Sequence, residues 1–151
     1  MKILKFIVLL IAFCLSATAQ AGQSVAGMLN DFAWEKRQIL LFAPDTQDKK
    51  YQAFIAAQQR QLSGFEDRRL QVWHLIAGQP VILGEDEKQS GVSVEDFQTA
   101  YAIAADEFRV ILIGYDQGEK LRQDKVDVER IFAEIDQMPM RVQEMQQENK
   151  Q

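Results

Sequence analysis

Apolar and polar positions fall in blocks along the chain, and four blocks have the length of β-strands. Arg37 to Phe42 is a mostly apolar run stopped by Pro44. Leu70 to Ala77 places Leu70, Val72, His74 and Ile76 on one face and Gln71, Trp73, Leu75 and Ala77 on the other. Two largely apolar faces predict a central strand covered on both sides. Arg109 to Tyr115 is a third strand, and Asp116-Gln117-Gly118 reads as a short hairpin loop in which Gly118 supplies the positive φ. Glu119 to Arg122 returns as a fourth, polar strand at the sheet edge.

Helical spacing fills the gaps between the strands. Tyr51, Phe54, Ile55, Gln58 and Leu62 recur at i, i+3, i+4, i+7 and i+11. Asp45, Thr46 and Asp48 are available as N-caps, and Ser63-Gly64 is the expected stop. Ser93 is positioned to cap a second helix, with carboxylates favourable in its first turn and Val94, Phe97, Tyr101 and Ala104 as its buried stripe. Val128, Ile131, Phe132 and Ile135 mark the last helix, which Met138-Pro139 interrupts. A Gln- and Glu-rich stretch from residue 143 closes the chain, with residues 146–151 assigned as a polar tail. Residues 78–92 read as a loop, and Ser24 to Trp34 as a lead-in. The order is β-α-β-α-β-β-α, an α/β sandwich with a four-stranded mixed sheet flanked by helices.

The N-terminus changes what chemistry is open to the protein. Lys2 and Lys5 precede an apolar run, Phe6 to Leu15, that is too short to span a bilayer, and small residues follow. This is the pattern of a signal peptide over residues 1–21, cleaved after Ala21 or alternatively after Ala19, leaving a domain over 22–145. The expected location is therefore exported, either periplasmic or secreted, with no membrane attachment after cleavage. Of 151 residues, 17 are Lys or Arg and 22 are Asp or Glu; cleavage removes two lysines and no acid, so the net charge moves from −5 to −7. An acidic chain lacks the electrostatic footprint of a nucleic-acid binder. Cleavage also removes Cys14, the one cysteine. An exported chain of this kind has no thiol for disulfide exchange, cysteine peroxidase chemistry or metal ligation.

The element order is the one the thioredoxin fold uses, and three patches carry a resemblance. They are Trp34-x-x-Arg37 through Phe42-Ala43-Pro44, then Leu112-Ile113-Gly114-Tyr115-Asp116, then Ile135-Asp136-x-Met138-Pro139-Met140-Arg141-x-x-Glu144-Met145. Together they resemble an uncharacterised family of secreted bacterial proteins with a thioredoxin-like domain, a domain type also found in equarin and in sushi-repeat extracellular proteins. The resemblance implies a thioredoxin-like fold and export, running from about Phe32 to Met145. The family's hairpin usually reads Gly-Lys-Asp-Gly, whereas this chain has Gly114-Tyr115-Asp116-Gln117-Gly118. Redox-active relatives of the fold carry their cysteines just after the first strand, where this chain has Phe42-Ala43-Pro44-Asp45-Thr46-Gln47.

The remaining chemistry is sparse. His74, the one histidine, lies mid-strand and reads as a packed, hydrogen-bonded residue more readily than as a catalytic base. Met138, Met140 and Met145 are thioethers suited to Cu(I), although methionines at a helix end also fill core gaps. Asp45 and Thr46 project near a helix N-terminus, and Arg141 and Glu144 flank the methionines; these four are the candidate interaction residues. No catalytic set and no cofactor is expected. The leading expectation is a non-enzymatic module that binds an extracytoplasmic protein or other ligand. The alternatives are a non-thiol enzyme (a hydrolase or degenerate oxidoreductase) and a soft-metal binder.

Overall fold

A computed structural model describes residues 23–84, 87–89, 91–148 and 150. The leader over 1–21, with Cys14 and both cleavage positions, lies outside the described residues, as do Glu85 and Asp86. The elements are α1 (Val25–Asn30), β1 (Arg37–Ala43), α2 (Lys49–Arg60), α3 (Leu62–Asp67), β2 (Leu70–Ile76), β3 (Ile82–Leu83), β4 (Glu87–Lys88), α4 (Val94–Tyr101), β5 (Arg109–Ile113), β6 (Glu119–Gln123), α5 (Val128–Asp136) and α6 (Pro139–Glu148).

The sheet has six strands in the order β4-β3-β2-β1-β5-β6, not the four expected. The additional pair, β3 and β4, has two residues per strand and lies in the stretch read as a loop. Strands that short display no alternation, so only pairing can reveal them. The four longer strands form where expected, with β1 parallel to β2 and antiparallel to β5, and β6 on the edge.

Every residue of β1 is buried, because helices cover both faces of the sheet. On one face Ile39, Leu41, Val72, Ile76, Val110 and Leu112 pack against Phe54 of α2, Phe65 of α3 and Val128, Ile131 and Ile135 of α5. On the other, Leu40, Phe42, Trp73, Leu75, Ile111 and Ile113 meet Met28 and Leu29 of α1 and Val94 and Phe97 of α4. A fully buried Leu, Ile or Phe contributes about 1.5–3 kcal/mol, so these two layers dominate the driving force for folding. Gln38 is polar yet fully buried, and its amide is used completely. It donates to the Leu29 carbonyl (3.0 Å) and to Gln117 Oε1 (3.1 Å), and it accepts from Trp73 Nε1 (2.8 Å).

Several local expectations are corrected. Ser63-Gly64 does not end the helical region: after a break at Gln61, α3 runs through both residues. Glycine is required there because a Cβ on Gly64 would lie 2.6 Å from the Phe132 ring. In the hairpin it is Gln117 (φ 64°), not Gly118, that takes the left-handed conformation. The Gly114–Gln117 turn closes with Gln117 N–H donating to the Gly114 carbonyl (3.0 Å), and Gln38 holds the Gln117 side chain. Asp48 caps α2, accepting from the N–H groups of Lys50 and Tyr51, each at 2.9 Å. Ser93 and Asp96 form a reciprocal capping box at α4, which ends at Tyr101, so that Ile103 is buried instead of Ala104. The lead-in holds a short helix, α1, and α6 continues to Glu148 through residues read as tail.

Candidate functional site

The three patches quoted from the sequence meet at the N-terminal end of β1. Trp34 lies in the turn after α1 in the left-handed region (φ 65°), and its N–H donates to the Tyr115 carbonyl (3.1 Å). That conformation costs an ordinary L-residue about 1–2 kcal/mol and persists only where the surroundings impose it. The Trp34 side chain is 64% exposed. Across from it, Met138 N–H donates to the Ile135 carbonyl (2.8 Å), and Pro139, whose fixed φ suits a first helical position, opens α6. Met138 packs partly into the core, whereas Met140 is 43% exposed. Trp34, Tyr115, Met138, Pro139 and Met140 wall a groove of about 270 Å³, with Arg37 among its lining residues. On its rim, Lys120 and Asp116 neutralise each other at 2.7 Å.

Beneath the groove lies a charged network that fastens α6 to the sheet. Arg37 is fully buried; its Nη1 donates to Glu144 Oε2 (3.1 Å), to the Tyr115 hydroxyl (3.1 Å) and to the Arg68 carbonyl (2.9 Å). Its guanidinium also stacks 4.0 Å from the centre of the Tyr115 ring. Tyr115 in turn donates to Glu144 Oε1 (2.8 Å). Burial alone would raise the Glu144 carboxyl, but hydrogen bonds from Tyr115 and Arg37 and the charges of Arg37 and Arg69 together hold it below its ordinary value. The Tyr115 phenol is pushed up, first by burial and then by its bond to Glu144. Arg141, 3% exposed, reaches Asp67 through both its side chain and its carbonyl, and lies 3.5 Å from Asp136 and 3.6 Å from Glu144. Arg68 closes the cluster with a two-pronged pair to Asp136 (2.9 and 2.6 Å).

The candidate residues therefore separate. Arg141 and Glu144 sit together in this network and act inward, as struts. Met138 and Met140 share the groove wall, while Met145 is not among its lining residues. Asp45 and Thr46 lie just past the opposite end of β1, in an exposed turn where Asp45 accepts from the Gln47 N–H (2.7 Å) and Gln52 donates to the Thr46 carbonyl. They do not join Arg141 and Glu144. His74 is nearly buried, with Nδ1 3.1 Å from the Tyr51 hydroxyl, and burial lowers its pKa against a hydrogen bond to the Gly84 backbone that raises it. Among the described residues no three His, Cys, Asp or Glu side chains are grouped to hold a metal ion.

Sequence reasoning missed Trp34 and Tyr115 as site residues. Trp34 was visible as an aromatic placed three residues before a charged residue at the head of an apolar strand. Nothing in the sequence indicated that it would remain outside the core.

Three comparisons bear on this architecture. A crystal structure of reduced 2-Cys peroxiredoxin from Plasmodium vivax is similar at TM-score 0.54, covering 82% of this chain and 85% of that one, with 14% identity. At that identity the likeness is one of fold alone: the chain is mixed α/β with a thioredoxin-like neighbour. The human Sushi repeat-containing protein SRPX2 is 26% identical over 133 residues, which cover 85% of this chain. The chain spans only 28% of that protein's length. Residues 28–144 match the model of a domain of unknown function, DUF4174, and run from α1 to the strut Glu144, so the chain belongs to that family.

Proposed function

We propose that this protein is an exported binding module that docks a protein outside the cytoplasm by taking one apolar side chain of its partner into the groove between Trp34 and Met140. Trp34 carries the reading. A large aromatic is held mostly in solvent by a strained, hydrogen-bonded backbone, beside an exposed methionine and over a rigid, ion-paired floor. Aromatic residues, Met and Arg are the residue types enriched at protein interfaces, and anchored aromatics dominate binding energies. The groove, at about 270 Å³, falls below the range of about 300–1,000 Å³ usual for small-molecule sites, so it suits a single side chain better than a cofactor. Export rests on the Lys2/Lys5, apolar-run and Ala-x-Ala pattern. Removal of Cys14 with that leader supports a role without thiol chemistry.

The test is site-specific photocrosslinking in the native compartment. A photoreactive residue at position 140 should give one discrete protein adduct that Trp34→Gly removes, and the same probe at Gln147, on the exposed far end of α6, should give none. Equal adducts at both positions, or an adduct indifferent to Trp34, would reject the groove as the docking site.

A further inference from the structure

A second concavity, of about 590 Å³, opens between α2 and the β2–β3 side of the sheet and plays no part in the groove described above. We infer that it is a binding site for a small neutral polyhydroxylated ligand, of the mono- or disaccharide class. Its floor is the His74–Tyr51 pair, its wall carries the amides of Gln52, Gln58 and Gln59, and Ile55, Leu62 and Ile82 supply aliphatic surface.

The chemistry of that lining selects the ligand. None of the described lining residues carries a charge at neutral pH: burial holds the His74 ring neutral and pushes the Tyr51 phenol up, so both remain uncharged. A charged ligand would be partly desolvated here with no counter-charge among the described lining residues to meet it. The Gln58 and Gln59 amides each carry donors and an acceptor, matching hydroxyl groups that likewise donate and accept, while Gln52 spends one donor on the Thr46 carbonyl. The aliphatic side chains take the C–H faces of a sugar ring, and the volume lies within the usual range for small-molecule sites. A peptide cannot add here as a strand, because β3 is already paired on one side with β2 and on the other with β4.

Helix periodicity concealed this feature. Tyr51, Phe54, Ile55, Gln58 and Leu62 read as one core-facing stripe; Phe54 is fully buried and Tyr51 and Ile55 pack partly against the core, yet Tyr51, Ile55, Gln58 and Leu62 also line the cleft.

His74 is the one histidine in the chain, so its ring signal in proton–carbon NMR is an unambiguous reporter of the cleft floor. The purified chain is titrated at millimolar concentrations with maltose, cellobiose and diacetylchitobiose, and separately with glucose and glucuronate. At least one neutral sugar should shift the His74 signal saturably. Gln58→Leu and Gln59→Leu, both on the helix surface, should each weaken that binding about tenfold, the effect of losing one well-made hydrogen bond. Trp34→Gly should leave it unchanged, which separates this site from the docking groove. Absence of a shift with every neutral sugar, or a shift that both glutamine substitutions leave intact, overturns the proposal. Glucuronate binding as well as or better than glucose overturns the selection for neutral ligands.

Discussion

Removing Glu144 alone should cost far more than removing Glu144 and Arg37 together. The Arg37 side chain is 1% exposed and that of Glu144 14%, and the pair meets at 3.1 and 3.3 Å. Breaking one partner of a buried pair leaves an uncompensated charge, at a cost of about 3–5 kcal/mol. Here Arg37 would retain the Arg68 carbonyl and the Tyr115 hydroxyl, so Glu144→Leu belongs at the lower end, about 3 kcal/mol. For a chain of this size that is a fall in Tm of about 6–12 °C. Adding Arg37→Met removes the orphaned charge, and apolar replacement of a buried pair is often neutral, so the double variant should return to within about 1 kcal/mol of the parent. Urea unfolding followed by circular dichroism measures all three variants, and an unchanged denaturant dependence keeps them comparable. Amide exchange across α6 should accelerate in Glu144→Leu, because the lost pair spans 107 residues and ties that helix to β1. A single-variant cost below about 1 kcal/mol, or two single costs that simply add in the double, would refute the reasoning.

Three further outcomes test other parts of the structure. Trp34→Gly should be neutral or stabilising by up to about 1 kcal/mol, since glycine accepts φ 65° without strain and the lost ring is mostly solvent-exposed; calorimetry checks this. Gly64→Ala should destabilise by about 1–3 kcal/mol through overpacking against the Phe132 ring, and the companion Phe132→Leu should relieve part of that cost in a thermal melt. His74 is held below its ordinary value of 6.5 in the fold, so the unfolded chain takes up the proton first as the pH drops. The stability due to its neutral form is complete above that value and is lost as the pH falls toward the folded pKa. Urea midpoints should therefore decline below about pH 6.5 in the parent, and this part of the slope should vanish in His74→Gln.

The long elements were legible because their apolar runs are continuous or periodic. β1 and β2 carry side chains into both cores, and the polar alternation of β6 matches an edge strand with one covered face. The two-residue strands β3 and β4 lie below the length at which alternation carries information. Helix α3 survives an internal glycine because the Phe132 ring, 68 residues further along the chain, needs the space. The same limit hid the site. Arg37 stands at the head of an apolar strand, and only the assembled fold shows that its partners come from Arg68, Tyr115 and Glu144. Arg141 lies 3.5 Å from Asp136, close to it in sequence, but Asp67 shares the guanidinium, and that contact depends on how α3 meets α6.

The Met138-Pro139-Met140-Arg141-x-x-Glu144 segment looks like one motif, but the geometry divides it by direction. Glu144 turns inward to the buried Arg37, and the buried Arg141 guanidinium reaches Asp67, so a substitution at either is read as lost stability. Met138 and Met140 turn to the groove, and Met140 in particular is exposed, so polar replacement there should cost little in folding. Pro139 joins the two roles, since it starts the helix that aims both sets. Met145 is not among the residues lining the groove that Met138 and Met140 share. The rim of the groove is apolar, and the segment that forms it is fastened beneath by ion pairs. Met140→Gln can therefore separate the two outcomes: unchanged stability with a lost crosslink assigns the rim to recognition, whereas a fall in stability comparable to that of Glu144→Leu would make the whole segment scaffold.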